Sequence, residues 1–205
     1  MTNISTIIFD LGGVLIDWNP RYVFDENYFD SEEKRKYFFE NICTSEWNEE
    51  QDAGRSIVEG TEILVSQYPE WESSIRDYYG RWTDMLRSSI PETVEILREL
   101  KDSKRYKLYA LTNWQAGLFE IARVRYKFLK WFDGLVVSGE EKTRKPFPEF
   151  YQRLLDRYNV NPAEAVFIDD NHRNVLAAEA LGIHSIHFHS PFQLRDALQR
   201  LGVLK

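Results

Sequence analysis

The chain is 205 residues long, 43% hydrophobic and 15% aromatic, with 26 Lys+Arg against 33 Asp+Glu and a net charge of −7. That length suits one mid-sized domain, or a core carrying a sizeable insertion, and the apolar fraction excludes a disordered chain. The acidic balance argues against a general nucleic-acid binder, which needs a basic face to neutralise phosphates.

The first predicted strand is the apolar run at 7–9, stopped by Asp10 and the Gly12–Gly13 pair. Residues 20–90 follow, dense in Trp, Tyr, Phe and Glu, and read as several helices with no clear strand. A helix from Pro91 to about Lys101 carries Val94, Leu97 and Leu100 on one face, with Pro at a favoured first position. The second strand, 106–111, ends in Thr112 and Asn113, and a helix bearing Leu118, Ile121 and Ala122 comes after it. The third strand is 134–137, followed by a helix over 147–158 with Phe150, Leu154 and Leu155 inward. The fourth, 165–168, ends in Asp169 and Asp170, and its helix carries Val175, Ala178 and Leu181 before a Gly182 cap. The fifth is 184–188, and a last helix begins at Ser190–Pro191. Alternation of this kind predicts an α/β fold, a Rossmann-like parallel sheet with flanking helices. A connection of ~70 residues after the first strand is too long for a loop and predicts an inserted helical subdomain. The expected division is a core of 1–19 and 91–205 and a helical insertion of 20–90.

The lone cysteine, Cys43, cannot close an intramolecular disulfide or build a thiolate metal site. No run approaches the ~20 apolar residues of a membrane span, and residues 1–6 lack the signature of a leader. The expectation is a soluble cytoplasmic protein with no membrane or nucleic-acid partner.

Polar residues collect where the predicted strands end: Asp10, Thr112, Lys145, and Asp169 with Asp170. In open parallel sheets the carboxyl edge is where ligands bind. A single Asp at a strand end is ordinarily a turn or helix cap, and a Lys before Pro an exposed loop charge. Four strand ends carrying these types in this order call for another explanation. Three converging carboxylates ~4 Å apart would repel by up to ~10 kcal/mol at an effective dielectric near 20. One lysine offsets part of that, so a proton or a divalent cation belongs among them, and an all-oxygen donor set suits Mg²⁺.

Taken together, residues 7–16 (IIFDLGGVLI), 111–113 (LTN), 145–146 (KP) and 166–170 (VFIDD) resemble the four motifs of the haloacid dehalogenase superfamily. The spacing resembles the branch with a small helical cap between the first and second motifs. The resemblance implies that Asp10 is a nucleophile forming an ester or acyl-phosphate that water hydrolyses. It implies that Thr112 holds phosphoryl oxygens, that Lys145 orients Asp10, and that Asp10, the Gly12 carbonyl and Asp170 hold Mg²⁺, with Asp169 acting directly or through a water. Asn113 and Trp114, beside Thr112, are expected to line a substrate site. In the cap, Asp52 and Arg55 around Gly54 resemble a selectivity loop that reads substrate hydroxyls or a second anion.

One position departs from the pattern. Most phosphatases of the superfamily carry a second Asp two residues after the nucleophile as general acid, where this chain has Gly12. Asp17 is the nearest carboxylate in sequence able to replace it, although a turn or cap role is its plainer reading. The leading expectation is a Mg²⁺-dependent hydrolase of a small phosphomonoester, such as a sugar phosphate. A 2-haloacid dehalogenase is the enzyme alternative, and Gly12 keeps open a catalytically weak binding or regulatory protein on the same fold.

Overall fold

In the computed structural model, which describes residues 3–205, the chain opens with β1 (Thr6–Phe9) and turns through the paired glycines into β2 (Ile16–Trp18). The helices α1 (Glu32–Tyr37), α2 (Ser45–Asp52), α3 (Ile57–Gln67) and α4 (Glu72–Gly80) follow, and then β3 (Leu86–Ser89). Alternation begins with α5 (Pro91–Ser103), β4 (Lys107–Thr112), α6 (Ala116–Arg125) and β5 (Gly134–Val137). It continues through α7 (Ser138–Glu141), α8 (Pro148–Tyr158), β6 (Ala165–Asp169), α9 (His172–Ala180), β7 (His184–His187) and α10 (Pro191–Arg200).

Five strands form one parallel sheet in the order β5-β4-β1-β6-β7. Successive strand residues point to opposite faces, and both faces here are covered. Ile7 and Phe9, Leu108 and Ala110, and Val166 and Ile168 belong to one apolar cluster. Ile8, Tyr109, Leu111 and Phe167 belong to the other, under Phe150, Tyr151 and Leu154 of α8. Burial on both sides is why these strands read as continuous apolar runs rather than alternating ones. The chain builds β4 and β5 on one side of β1, then returns to build β6 and β7 on the other. This switch opens a crevice at the carboxyl ends of β1 and β6.

The reading of 20–90 as free of strands needs correction. Leu86–Ser89 is a strand, β3, paired antiparallel with β2. Two of its four residues are exposed, so it has no apolar run to announce it. The Asn19 amide donates to the Met85 carbonyl (3.0 Å) and the Ile90 amide to the Leu15 carbonyl (2.9 Å). The chain thus leaves for the helical segment and returns from it along one two-stranded ribbon.

That segment has an aromatic core. Phe24, fully buried, packs against Tyr28, Phe29, Phe38, Phe39 and Tyr78 at centroid separations of 4.7–6.1 Å. Trp47 lies edge-on to Tyr78, and Trp71 packs against Phe29 and Phe38, so both serve as core. Trp82 instead meets Trp114, just past β4, edge-to-face. Removing a buried aromatic costs ~3–5 kcal/mol. Phe24→Ala is therefore expected to lower stability by about that amount in urea unfolding, with Phe24→Leu losing clearly less.

Candidate active site

Strand ends deliver Asp10, Thr112–Asn113 and Asp169–Asp170, whereas Lys145 comes from the loop between α7 and α8, past the expected strand end. Beyond β1, the Asp10 amide donates to the Ile168 carbonyl (2.8 Å), extending the β1–β6 ladder and fixing where the side chain leaves the sheet. The Leu11 amide donates to Asp10 Oδ1 (2.7 Å), and Lys145 Nζ reaches the same oxygen at 2.9 Å. Among the described residues Asp10 Oδ2 receives no hydrogen bond. Lys145 also donates to Asp169 Oδ2 at 2.7 Å. Asn113, just past β4, holds the lysine backbone from both sides: Nδ2 donates to the Lys145 carbonyl (3.0 Å) and Oδ1 accepts its amide (2.8 Å). The Lys145–Pro146 peptide is cis.

Asp169 is fully occupied. Besides Lys145 it accepts from the Asn171 amide (2.8 Å) and, with both oxygens, from Asn174 Nδ2 (3.1 Å). Asp170 has no ion-pair partner among the described residues. Its carbonyl meets His187 Nε2 at 2.9 Å, a contact not foreseen from sequence. Carboxylate oxygens of Asp10, Asp169 and Asp170 lie within 4.8 Å of one another, a donor set able to hold a metal ion. Burial pushes the Asp10 carboxyl up to about 7, with Lys145 pulling it back and Asp169 and Asp170 raising it further. Asp170 is raised as well, by desolvation and then by Asp169. One ammonium thus pairs two carboxylates and leaves two negative charges in excess, which a divalent cation on Asp10 and Asp170 would balance.

Asp10 and Asp170 open into a cavity of about 480 Å³. Its core side includes Gly12, Asn113, Lys145 and Asn174, and its other wall includes Asn48, Glu49 and Asp52 of α2 with Phe39 and Tyr78. Several ties hold that wall to the core. Glu49 pairs with Arg144 (2.8 Å) and Arg173, and Ser138 Oγ donates to the Asp52 carbonyl (2.6 Å). Glu49, Arg144 and Arg173 escaped sequence reading, because charges distant in the chain announce no pairing.

The remaining expected site residues divide. Thr112 ends β4 fully buried, with Oγ1 lacking a hydrogen-bond partner, and is not part of the cavity wall. Trp114 is buried and lines a smaller recess beside Gly12. Asp52 lines both spaces. Arg55 does not reach them: its guanidinium donates to Gln51 Oε1 (2.5 Å) and the Trp47 carbonyl (3.2 Å), tying α2 together. Gly54 faces Lys142, not a ligand space. Asp17 is not brought in either. It sits in β2, where neighbours alternate in direction; Trp18 lines the cavity, while both Asp17 oxygens accept from the Tyr22 hydroxyl (2.8 and 2.9 Å).

Comparison with known proteins agrees with this geometry. Residues 4–182 match the family model of haloacid dehalogenase-like hydrolases, and the chain belongs to that family. It is 32% identical over 186 residues to a sesquiterpene phosphatase of Aspergillus oryzae, covering 91% of this chain and 90% of that one. A phosphorylated-carbohydrate phosphatase of Thermotoga maritima is 29% identical over 184 residues, covering 89% and 84%. These relatives mark it as a hydrolase of phosphatase type. In fold it resembles a Bacteroides thetaiotaomicron family enzyme solved with magnesium and inorganic phosphate, with a TM-score of 0.69 at 20% identity, over 91% and 95% of the chains.

The two glycines beside Asp10 have different duties. Gly13 has φ +72°, and a Cβ there would stand 2.2 Å from Asp170 Oδ2. Gly12 has no such φ, and a Cβ there would meet nothing within 4 Å. Left-handed backbone costs an ordinary residue ~1–2 kcal/mol before any clash. Gly13→Ala is expected to lose at least about that much stability in urea unfolding, and Gly12→Ala less than about 0.5 kcal/mol.

Proposed function

We propose that this chain is a Mg²⁺-dependent phosphatase that hydrolyses a small phosphomonoester, such as a sugar phosphate, through an aspartyl-phosphate on Asp10. The observation that carries the reading is the Asp10–Lys145–Asp169 ion cluster opening, with Asp170, into one cavity. The magnesium and phosphate bound by the Bacteroides enzyme support the same choice of cation and product.

Asp10 attacks phosphorus with Oδ2, the oxygen that receives no hydrogen bond, while Lys145 and the Leu11 amide fix Oδ1 and so the direction of the other lone pairs. Asp170, Asp10 and the Gly12 carbonyl would hold the cation directly, whereas Asp169, already accepting from three residues, acts through Lys145. When bound, the cation neutralises phosphoryl and carboxylate charge so that an anionic nucleophile can approach an anionic ester. Thr112, whose buried hydroxyl lies outside the cavity wall, is left without a direct contact to the phosphoryl group. Residues 20–90 act as the cap, and substrate choice rests with the wall that they and the adjoining Trp18 and Asn19 supply. Asn19, Ser45 and Asn48 on that wall suit hydroxyls, and Asp52 acts from the same side. A second reading, an apolar alkyl or prenyl phosphate, is favoured by Trp18, Phe39, Cys43 and Tyr78 along the same wall. A screen of sugar, alkyl and prenyl phosphates separates the two.

Asp10→Asn tests the nucleophile. An amide keeps an oxygen toward Lys145 but forms no acyl-phosphate, so turnover should fall roughly 10⁴-fold or more, with an unchanged circular-dichroism spectrum. Retained turnover in the folded variant would remove Asp10 from that role. Asp170→Ala should raise the Mg²⁺ concentration needed for half-maximal rate by about tenfold or more, the scale of a lost ligand.

A further inference from the structure

Nucleophilic attack by Asp10 leaves one proton unassigned. The departing oxygen of an alkyl phosphate must acquire one, and Gly12 has no side chain to give it. The space a longer residue at 12 would enter is open, since an added Cβ meets nothing within 4 Å. Gly12 borders a recess walled also by Trp18, Asn48, Trp82, Asn113 and Trp114, and the one carboxylate on its wall is Asp52.

Asp52 is also held in place. As the last residue of α2, it has its carbonyl pinned by Ser138 Oγ at 2.6 Å, and that hydroxyl accepts the Trp114 amide at 2.8 Å. Its Oδ2 accepts Asn48 Nδ2 at 3.0 Å. It lines the same cavity as Asp10, Asp170 and Lys145. Asp17, by contrast, faces away toward Tyr22.

We propose that Asp52, reaching across from α2, is the acid–base residue of the reaction, a role that rests on the phosphatase reading above. In the first half-reaction an Asp10 oxygen bonds to phosphorus as the phosphorus–oxygen bond of the ester breaks. The electron pair goes to the leaving oxygen, which takes the Asp52 proton. In the second, the Asp52 carboxylate takes a proton from water as the water oxygen bonds to phosphorus. The Asp10–phosphorus bond breaks, inorganic phosphate forms, and both carboxyl groups return to their starting states.

The surroundings suit this cycle. Burial pushes the Asp52 carboxyl up to about 7 and the Glu49 carboxylate raises it further, against the Gln115 amide, Arg144 and Lys145. Tyr78 and Tyr79 of α4 face it as well, both held neutral by burial. A carboxyl poised near neutrality can donate in one step and accept in the next. The acid must be protonated, so donation is complete below about pH 7 and fades above it.

The test compares first-turnover rates on an aryl phosphate, whose leaving group needs no proton, with those on a primary alkyl phosphate. Both are run with Mg²⁺ on the wild type, Asp52→Asn and Asp52→Asn/Gly12→Asp. General acid catalysis is worth ~10²–10⁴. Asp52→Asn should therefore slow phosphorylation by the alkyl ester about 10²-fold or more, slow that by the aryl ester only a few-fold, and accumulate aspartyl-phosphate. A carboxyl restored at position 12 should recover the alkyl rate tenfold or more. In the wild type the alkyl-to-aryl rate ratio should fall as pH rises through about 7. Equal losses on both esters in Asp52→Asn, or a wild-type ratio flat from pH 6 to 8.5, would overturn the assignment while leaving Asp10 untouched. A wild type that turns over neither ester overturns the phosphatase reading and this proposal together.

Discussion

A lysine ammonium with no exposure to solvent organises this molecule. Burying such a charge alone costs several kcal/mol, and the strand ends are arranged to prevent that. Burial by itself draws the Lys145 pKa down, and Asp10 from β1 and Asp169 from β6 more than reverse it. Asn113, from the end of β4, clamps the lysine backbone in both directions. Three strands that are otherwise apolar thus end on one ion cluster. Their register is constrained by charge as well as packing, because shifting any one strand would leave a buried charge without its partner. The same cluster leaves Asp10 with one fixed oxygen and one without a donor, so holding the fold and orienting this carboxylate toward the cavity are one arrangement.

The sheet and its carboxyl edge were legible because they depend on local signals. Doubly buried strands are short apolar runs, and each run at 7–9, 106–111, 134–137, 165–168 and 184–188 corresponds to a strand within two residues. The ribbon was not legible. β2 and β3 are three and four residues long and partly exposed, with one buried apolar residue each, Ile16 and Leu86, too few to announce a strand. Side-chain direction was the second blind spot. Asp17 and Arg55 have plausible chemistry, but strand alternation turns one toward Tyr22, and hydrogen bonds to Gln51 and Trp47 hold the other inside its own helix. The partnership of Glu49 with Arg144 and Arg173 spans about 95 and 124 positions, beyond the reach of any periodicity.

The cavity belongs to neither part of the chain alone. The ion cluster is built from the ends of β1 and β6 and the loop between α7 and α8, while α2 supplies Asn48, Glu49 and Asp52 from the opposite side. Glu49 accepts from two arginines of the core, so the wall is fastened by charge at the rim and by the Ser138 hydrogen bond deeper in. Partly buried pairs of this kind are screened by salt less than exposed ones.

The ribbon of β2 and β3 has an evolutionary meaning. Because its strands are paired, the helical segment begins and ends at neighbouring points. The sheet therefore experiences that segment as a closed loop, whatever its length. Closing a loop twice as long costs only about 0.6 kcal/mol more. Insertions of other lengths and shapes can be exchanged on the same two strands with little consequence for the strand ends that hold the lysine. Selection can then vary what enters the cavity, together with the carboxyl that α2 brings to it, while the ion cluster at the sheet edge is inherited unchanged through a different stretch of the chain.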